Sequence, residues 1–486
     1  MIPLSALLTG LLLGCSREPS KPAPEEQSCD LDDPVRQEGT LQRRWGKVTL
    51  DTDAGIRAFC GCVESVQVKG SLLLTGDTIS DLSPLSCLTE VTGQLNVAYT
   101  ERLIDLVGLE RLSAAGGIYV DHNVELRSLD GLEGLRSVSG TVQVRQNGRL
   151  ASLQALRGVR EIGGDLRMYD LPELDSLAGL DSVTSVGGMV WLSSLTSVKS
   201  LAGLESIARV EGDVRLERLG GLVDPSGLDG LEYIGGGLAV LQNPQLVRLP
   251  NLEELQTLGG GLDVVNNPLL TDLDGLGGLT SIGGDFWITD STALRQLGSL
   301  GGLVTIGGDL QVRRNDVLED LEDLVALRTV GGELAIDDNA ALTSLLPVGA
   351  LDEIGGDILI QESASLEHLS GLERLSRVPG DVEIVGNPKL ANLSPLRSIA
   401  TAEALYIFGN DALTRLGGLE GFRTLSWLSI RSNPALADVS SLHGLTTVDG
   451  DAWIFENPAL SQADAEQLIA EIETLGGEAQ VYGNGP

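Results

Sequence analysis

The chain has 486 residues, a formal net charge of −36, 62 glycines and only 3% aromatic residues. That charge excludes the basic surface demanded by nucleic-acid phosphates and disfavours direct contact with anionic lipid. Length alone predicts two or three domains, but an internal repeat overrides that expectation. The segment VPGDVEIVGNPKLANLSPL contains Gly380, and glycines at the matching position recur every 24 residues from Gly140 to Gly380, after which Glu403 and Ser426 replace them and the step shortens to 23. Earlier the step is 23, through Gly70, Gly93 and Gly116. A period this regular defines a solenoid, whose stacked coils share one continuous core.

Taken in chain order, the first segment is MIPLSALLTGLLLGC. Its apolar run from Leu4 to Leu13 is too short to span a bilayer and reads as an export signal over residues 1–14. The closing Leu12-Leu13-Gly14-Cys15 resembles the lipobox of bacterial lipoproteins. The resemblance implies that Cys15 receives the lipid and becomes the mature amino terminus. Ser16 is similar to the outer-membrane sorting pattern. Residues 15–34 mix proline, serine and acid with almost nothing to bury, and predict an extended, solvated tether.

Residues 35–92 form a cysteine-rich cap and first coil, with ordered structure expected from Val48. Asp51 or Thr52 is placed to cap a short helix through Phe59. Such a cap covers leucines and strand backbone that the open end would expose. Cys60, Cys62 and Cys87 fall here, and Cys29 lies just before them at the end of the tether. In an exported chain they predict two disulfides, with Cys29 joined to one of Cys60 and Cys62, and Cys87 to the other. The alternative, zinc, has no histidine nearby and no familiar spacing.

From 93 to 460 the coils repeat a Gly-Asp turn, a short strand, an Asn-Pro corner and spaced leucines. Alternation turns Val382 and Ile384 inward, with Glu383 and Val385 outward. The glycine before the acid is expected to admit a backbone turn that a side chain would obstruct. At the corner stand Asn123, Asn147, Asn243, Asn267, Asn315, Asn339, Asn387, Asn410, Asn433 and Asn457. Stacked amides there can satisfy corner backbone groups and one another. Leu171, Leu195, Leu219, Ser291 and Ser363 interrupt the series, so an unbroken polar ladder is not required.

The pattern Leu-x-x-Leu-x-Gly-Leu, two or three residues, then Ile-Gly-Gly-Asp-Leu-x-Ile resembles the receptor L-domain group of leucine-rich repeats. Bacterial surface lipoproteins with long runs of such coils are similar to it. The resemblance implies an all-β, right-handed parallel β-helix of seventeen or eighteen coils, one strand per side per coil, and carries no catalytic residues. At ~4.8 Å per coil the rod would be roughly 80 Å long. Residues 461–486 close it with an amphipathic helix capped by Ser461, facing the last coil through Leu468, Ile469, Ile472 and Leu475, and a strand near Ala479 to Tyr482.

Chemistry is sparse. The three histidines, His122, His368 and His443, lie on distant coils, and no Gly-Gly pair continues into a phosphate loop. Asp290, Arg313, Arg314, Asp337, Asp338 and Glu362 gather beside Trp287, and read as a ladder of alternating charges before they read as a catalytic groove. Asp285, Asp309, Glu333, Asp357 and Asp381 occupy one turn position in successive coils. They are expected to be solvated, backbone-capping acids, the alternative being bridging Ca²⁺; no cofactor is assigned. Tyr406, Phe408, Trp427, Arg431, Trp453 and Phe455 share one outward face, the composition of a recognition surface. The expectation is a non-enzymatic, lipid-anchored monomer of the cell envelope, at the outer membrane and facing periplasm or exterior. It would bind a protein or glycan on its strand face. A structural spacer and a carbohydrate-active β-helix enzyme are the alternatives.

Overall fold

The computed structural model describes residues 41–61, 63–345 and 350–486. The signal, the tether, Cys15, Cys29 and Cys62 lie outside the described residues. What is described is an all-β parallel solenoid of about 18 turns with a ~24-residue period.

Each middle coil carries two strands. The longer has four residues, as in Phe286–Thr289, Leu310–Arg313 and Leu334–Asp337, paired in parallel with its neighbours in strict register. Leu310 lies between Phe286 and Leu334, and Val312 between Ile288 and Ile336. All six are essentially excluded from solvent, whereas Gln311 faces outward. The shorter strand has two residues, as in Thr305–Ile306, and forms its own parallel ladder. The third side, built on the spaced leucines, carries only isolated bridges such as Ser128↔Ser152 and Ser344↔His368.

Between the two strands sits the glycine pair, and its role is closeness of approach. A Cβ at Gly307 would lie 2.2 Å from the Gly283 carbonyl oxygen, and one at Gly308 2.0 Å from Asp285 Oδ1. Neither glycine has a positive φ. Stacking distance, rather than an unusual turn conformation, therefore demands glycine here.

At the opposite end of the long strand the chain turns through the asparagine corner. Asn315, fully buried, accepts the N–H of Ser291 and donates its amide to the Ile288 and Arg313 carbonyls. Its own N–H goes to Asn339 Oδ1. The same pattern links Asn387, Asn410, Asn433 and Asn457, and continues to Asn484. The residue before the corner is left-handed in coil after coil, with φ from +49° at Glu362 to +57° at Gln242, and none of these residues is β-branched. Only Gly386, Gly409 and Gly483 relieve that strain, which costs about 1 kcal/mol at a non-glycine residue.

Both ends are covered. A strand at Leu41–Trp45 pairs with Ser65–Lys69, ahead of the expected start at Val48. The helix Asp53–Phe59 is capped by Thr52, whose hydroxyl accepts from Gly55, and buries Ile56 and Phe59. Cys60 and Cys87 form a disulfide across 27 residues, one of the predicted pairings. At the far end the helix Gln462–Glu471 is capped by Ser461, buries Ala465 and Leu468, and is followed by the strand Ala479–Tyr482. Ile469, Ile472 and Leu475 also pack against the core, and His443 pairs with Glu471 at 2.5 Å.

Ser291 marks a gap in the ladder. Its hydroxyl is buried without a partner, and the N–H of Asn267 finds no acceptor among the described residues. Ser291→Asn would supply that acceptor and join Asn243–Asn267 to Asn315–Asn339. It is expected to stabilise the fold by about 1 kcal/mol in urea denaturation; a loss of stability would mean that the corner lacks room for the amide.

Candidate recognition face

The long strand presents two outward columns, flanked by the turn residue on one side and the left-handed corner residue on the other. Every tyrosine and tryptophan whose side chain is described, except Tyr233, stands in these columns or at their flanks. A chain so poor in aromatics has concentrated them on one face.

At the carboxy-terminal end the structure brings together all six residues predicted from sequence. Trp427 meets Trp453 edge-on at 5.1 Å, and Trp453 lies 6.4 Å from Phe455. The Arg431 guanidinium sits 4.3 Å over the Phe408 ring. Tyr406 stands beside Glu383 and Ser429 in the register. Ser429 is buried. Tyr482, stacked on Phe455 at 4.8 Å and 49% exposed, extends the patch to its rim.

A second cluster lies near the other end. Tyr99 stacks on His122 at 4.7 Å, and Tyr169 on Trp191 at 4.8 Å. Arg145 donates to the Tyr169 hydroxyl at 2.9 Å and pairs with Asp121 at 3.2 Å. Sequence reasoning passed over Arg145, Tyr169 and Trp191, although they occupy the same outward columns as the predicted patch; Tyr99 and His122 stand at the left-handed corner beside them.

The polar cluster beside Trp287 resolves into pairs. Arg314 binds Asp290 through two hydrogen bonds of 2.7 and 2.9 Å, holding that carboxyl below the usual range. Arg313 pairs with Glu333 at 3.1 Å. Asp337 lies beside Arg313 in the register, and Asp338 and Glu362 occupy the corner column.

The turn acids have a backbone task. Asp285 accepts the N–H of Asp309, Asp309 that of Glu333, and Asp357 that of Asp381, at 2.8–2.9 Å. No group of three histidine, cysteine or acidic residues suited to a metal ion occurs among the described residues. Burial pushes the Glu333 carboxyl up, against the pull of Arg313. Burial also raises Asp381 and Glu383, with Asp357 adding to both. The Tyr406 phenol is raised by burial and by these acids.

These shifts have a defined sign. A carboxyl raised in the folded state holds its proton more tightly there than in the unfolded chain. Its charge therefore costs stability above the ordinary carboxylate range, and the cost disappears as pH falls through the folded-state value. Glu383→Gln is accordingly expected to raise the melting temperature at about pH 7 and to leave it unchanged near pH 4. An equal gain at both pH values would assign the effect to packing instead.

No family model matches this chain, and no curated protein matches its sequence. Among solved structures it is similar to one described as the crystal structure of a TLR13–ssRNA13 complex. The identity is 13% and the TM-score 0.36, covering 90% of this chain and 73% of that chain. A likeness of that degree carries no argument about partner or activity. What the geometry itself defines is a leucine-rich, repeat-protein scaffold with one aromatic-bearing strand face.

Proposed function

We propose that this chain is a non-enzymatic, lipid-anchored solenoid of the bacterial cell envelope, held at the outer membrane through Cys15. As a monomer it would bind an envelope or extracellular protein or glycan on its strand face. The observation that carries the reading is the gathering of most tyrosine and tryptophan side chains on that face, centred on Tyr406, Phe408, Trp427, Arg431, Trp453 and Phe455. Aromatic rings with an arginine on a rigid sheet offer contact area at little entropic cost. The Leu-Leu-Gly-Cys segment supports the anchor. Commitment of Arg313 and Arg314 to ion pairs supports a scaffold over a β-helix enzyme.

A structural spacer is the second reading, favoured by the rings' burial of one another: Phe455 is only 9% exposed. The two separate on Tyr406→Ala combined with Trp453→Ala. Recognition predicts at least about a tenfold loss of binding to envelope glycans and surface proteins in pull-down; unchanged binding favours the spacer.

Anchoring is tested separately. Cys15→Ser is expected to leave the chain unlipidated and to move it from membrane to soluble fraction, read by fractionation and mass. Membrane retention of the variant would refute the lipoprotein assignment.

A further inference from the structure

The acidic turn column is interrupted by Met189 and, two coils later, by two glycines in succession. Asp213 Oδ1 accepts the N–H of Gly237 at 2.8 Å, as the pattern requires. The next two coils carry Gly237 and Gly261 where an acid would stand, so the N–H groups of Gly261 and Asp285 have no acceptor among the described residues. A Cβ at Gly237 would lie 2.7 Å from the Gly261 carbonyl oxygen and 3.0 Å from its nitrogen, and one at Gly261 2.8 Å from the Asp285 carbonyl oxygen and 3.4 Å from its nitrogen. Both donors therefore open onto the space the missing carboxylates would fill.

The adjoining column narrows at the same level. Its successive members are Trp191, Arg215, Ala239, Asp263 and Trp287. Ala239, 5% exposed, floors a dent of about 160 Å³ walled by Arg215, Asp213 and Asp263. This is smaller than the ~300–1,000 Å³ of an enclosing small-molecule pocket and suits one ring-sized group of a longer ligand lying along the face. Trp287, 39% exposed and with no ring partner among the described residues, stands one coil beyond the Asp263 wall. Trp191, backed by Tyr169 and hydrogen-bonded to Glu217 at 3.3 Å, stands one coil beyond the Arg215 wall on the other side.

We propose that this dent, with its two flanking indoles, binds a neutral glycan strand running along the solenoid axis. The inference rests on the reading of the strand face as a recognition surface and names a ligand class for a site apart from the carboxy-terminal patch. Charge selects the class. An anion would meet Asp213, Asp263 and Asp285 against the single Arg215, on a chain of net charge −36. A cation would meet the guanidinium and two N–H donors. A hydroxyl both donates and accepts, so sugar hydroxyls satisfy the amides, the guanidinium and the carboxylates together. The flat apolar faces of pyranose rings fit the indoles. Trp191 and Trp287 are four coil steps apart, roughly 19 Å at ~4.8 Å per step, so the ligand spans several sugars.

The test is calorimetric titration of the full chain with cellohexaose, maltohexaose, chitohexaose and, as charged counterpart, hexagalacturonate. Saturable binding of a neutral hexasaccharide is expected, weakened at least about tenfold by Trp287→Ala. Gly237→Asp should weaken it as well, because the new carboxylate fills the dent; its Cβ would lie 2.7 Å from the Gly261 carbonyl oxygen, so the melting temperature is expected to fall and binding is compared below it. Trp453→Ala should not alter it. The proposal is overturned if no neutral hexasaccharide binds, if hexagalacturonate binds more tightly, or if Trp453→Ala abolishes binding while Trp287→Ala does not. In each of those cases the broader reading stands or falls on its own measurement, the envelope pull-down with the Tyr406 and Trp453 variants.

Discussion

A chain that turns the same corner in every coil, inside an apolar stack, leaves backbone groups where water cannot reach them. The asparagine amide meets that demand. It accepts from the corner N–H of the preceding coil and donates to carbonyls on either side, as Asn315 and Asn339 do. Each unmet group of this kind costs about 1–3 kcal/mol, so the corner constrains everything around it. To bring the amide inward, the preceding residue must adopt a left-handed conformation, and the chain accepts that strain at Arg314, Asp338 and their equivalents. Leu171, Leu195 and Leu219 form the stretch where an apolar side chain replaces the amide, and only Leu219 keeps its N–H bonded, to Asn243.

The glycine pair at the other end of the long strand fixes the second boundary. With Cβ atoms excluded by the backbone of the preceding coil, successive turns approach closely and hold the ladder in register. What remains free to vary is the set of outward positions, which the register turns into straight columns. What distinguishes one coil from the next is therefore a column pattern. Rings gather where Trp427 and Trp453 meet, like charges crowd where Asp381 and Asp357 add to burial in raising the proton affinity of Glu383, and the column recedes at Ala239.

Much of this was legible in the sequence, because a period exposes whatever is repeated. The inward positions Val382 and Ile384, the asparagine corner, the caps Thr52 and Ser461 and the carboxy-terminal aromatic patch all follow from spacing. Other features were hidden for physical reasons. The left-handed residues vary from Tyr99 to Glu456, so no residue type announces them. Asn484 escaped the ladder because the helix Gln462–Glu471 lengthens that coil to 27 residues from Asn457. The two-residue strands are too short for alternation to mark them. The stacking of Tyr169 on Trp191 sits in the predicted columns, but a phase of the repeat shows only adjacency, not ring contact. The role of the Gly-Gly pair was read as local conformation, whereas the neighbouring coil imposes it.

The disulfide between Cys60 and Cys87 spans a single turn of the stack, so it ties the first coils together and leaves the rest of the rod unlinked. The described chain begins at one end of that rod and finishes at the other. Under tension between its ends, the rod would resist as a series of separate clasps. Each 24-residue turn released would lengthen the molecule from ~4.8 Å to roughly 80 Å. A partner gripping the far end would thus pull on a shock absorber whose locked base stays folded while its outer turns pay out one by one.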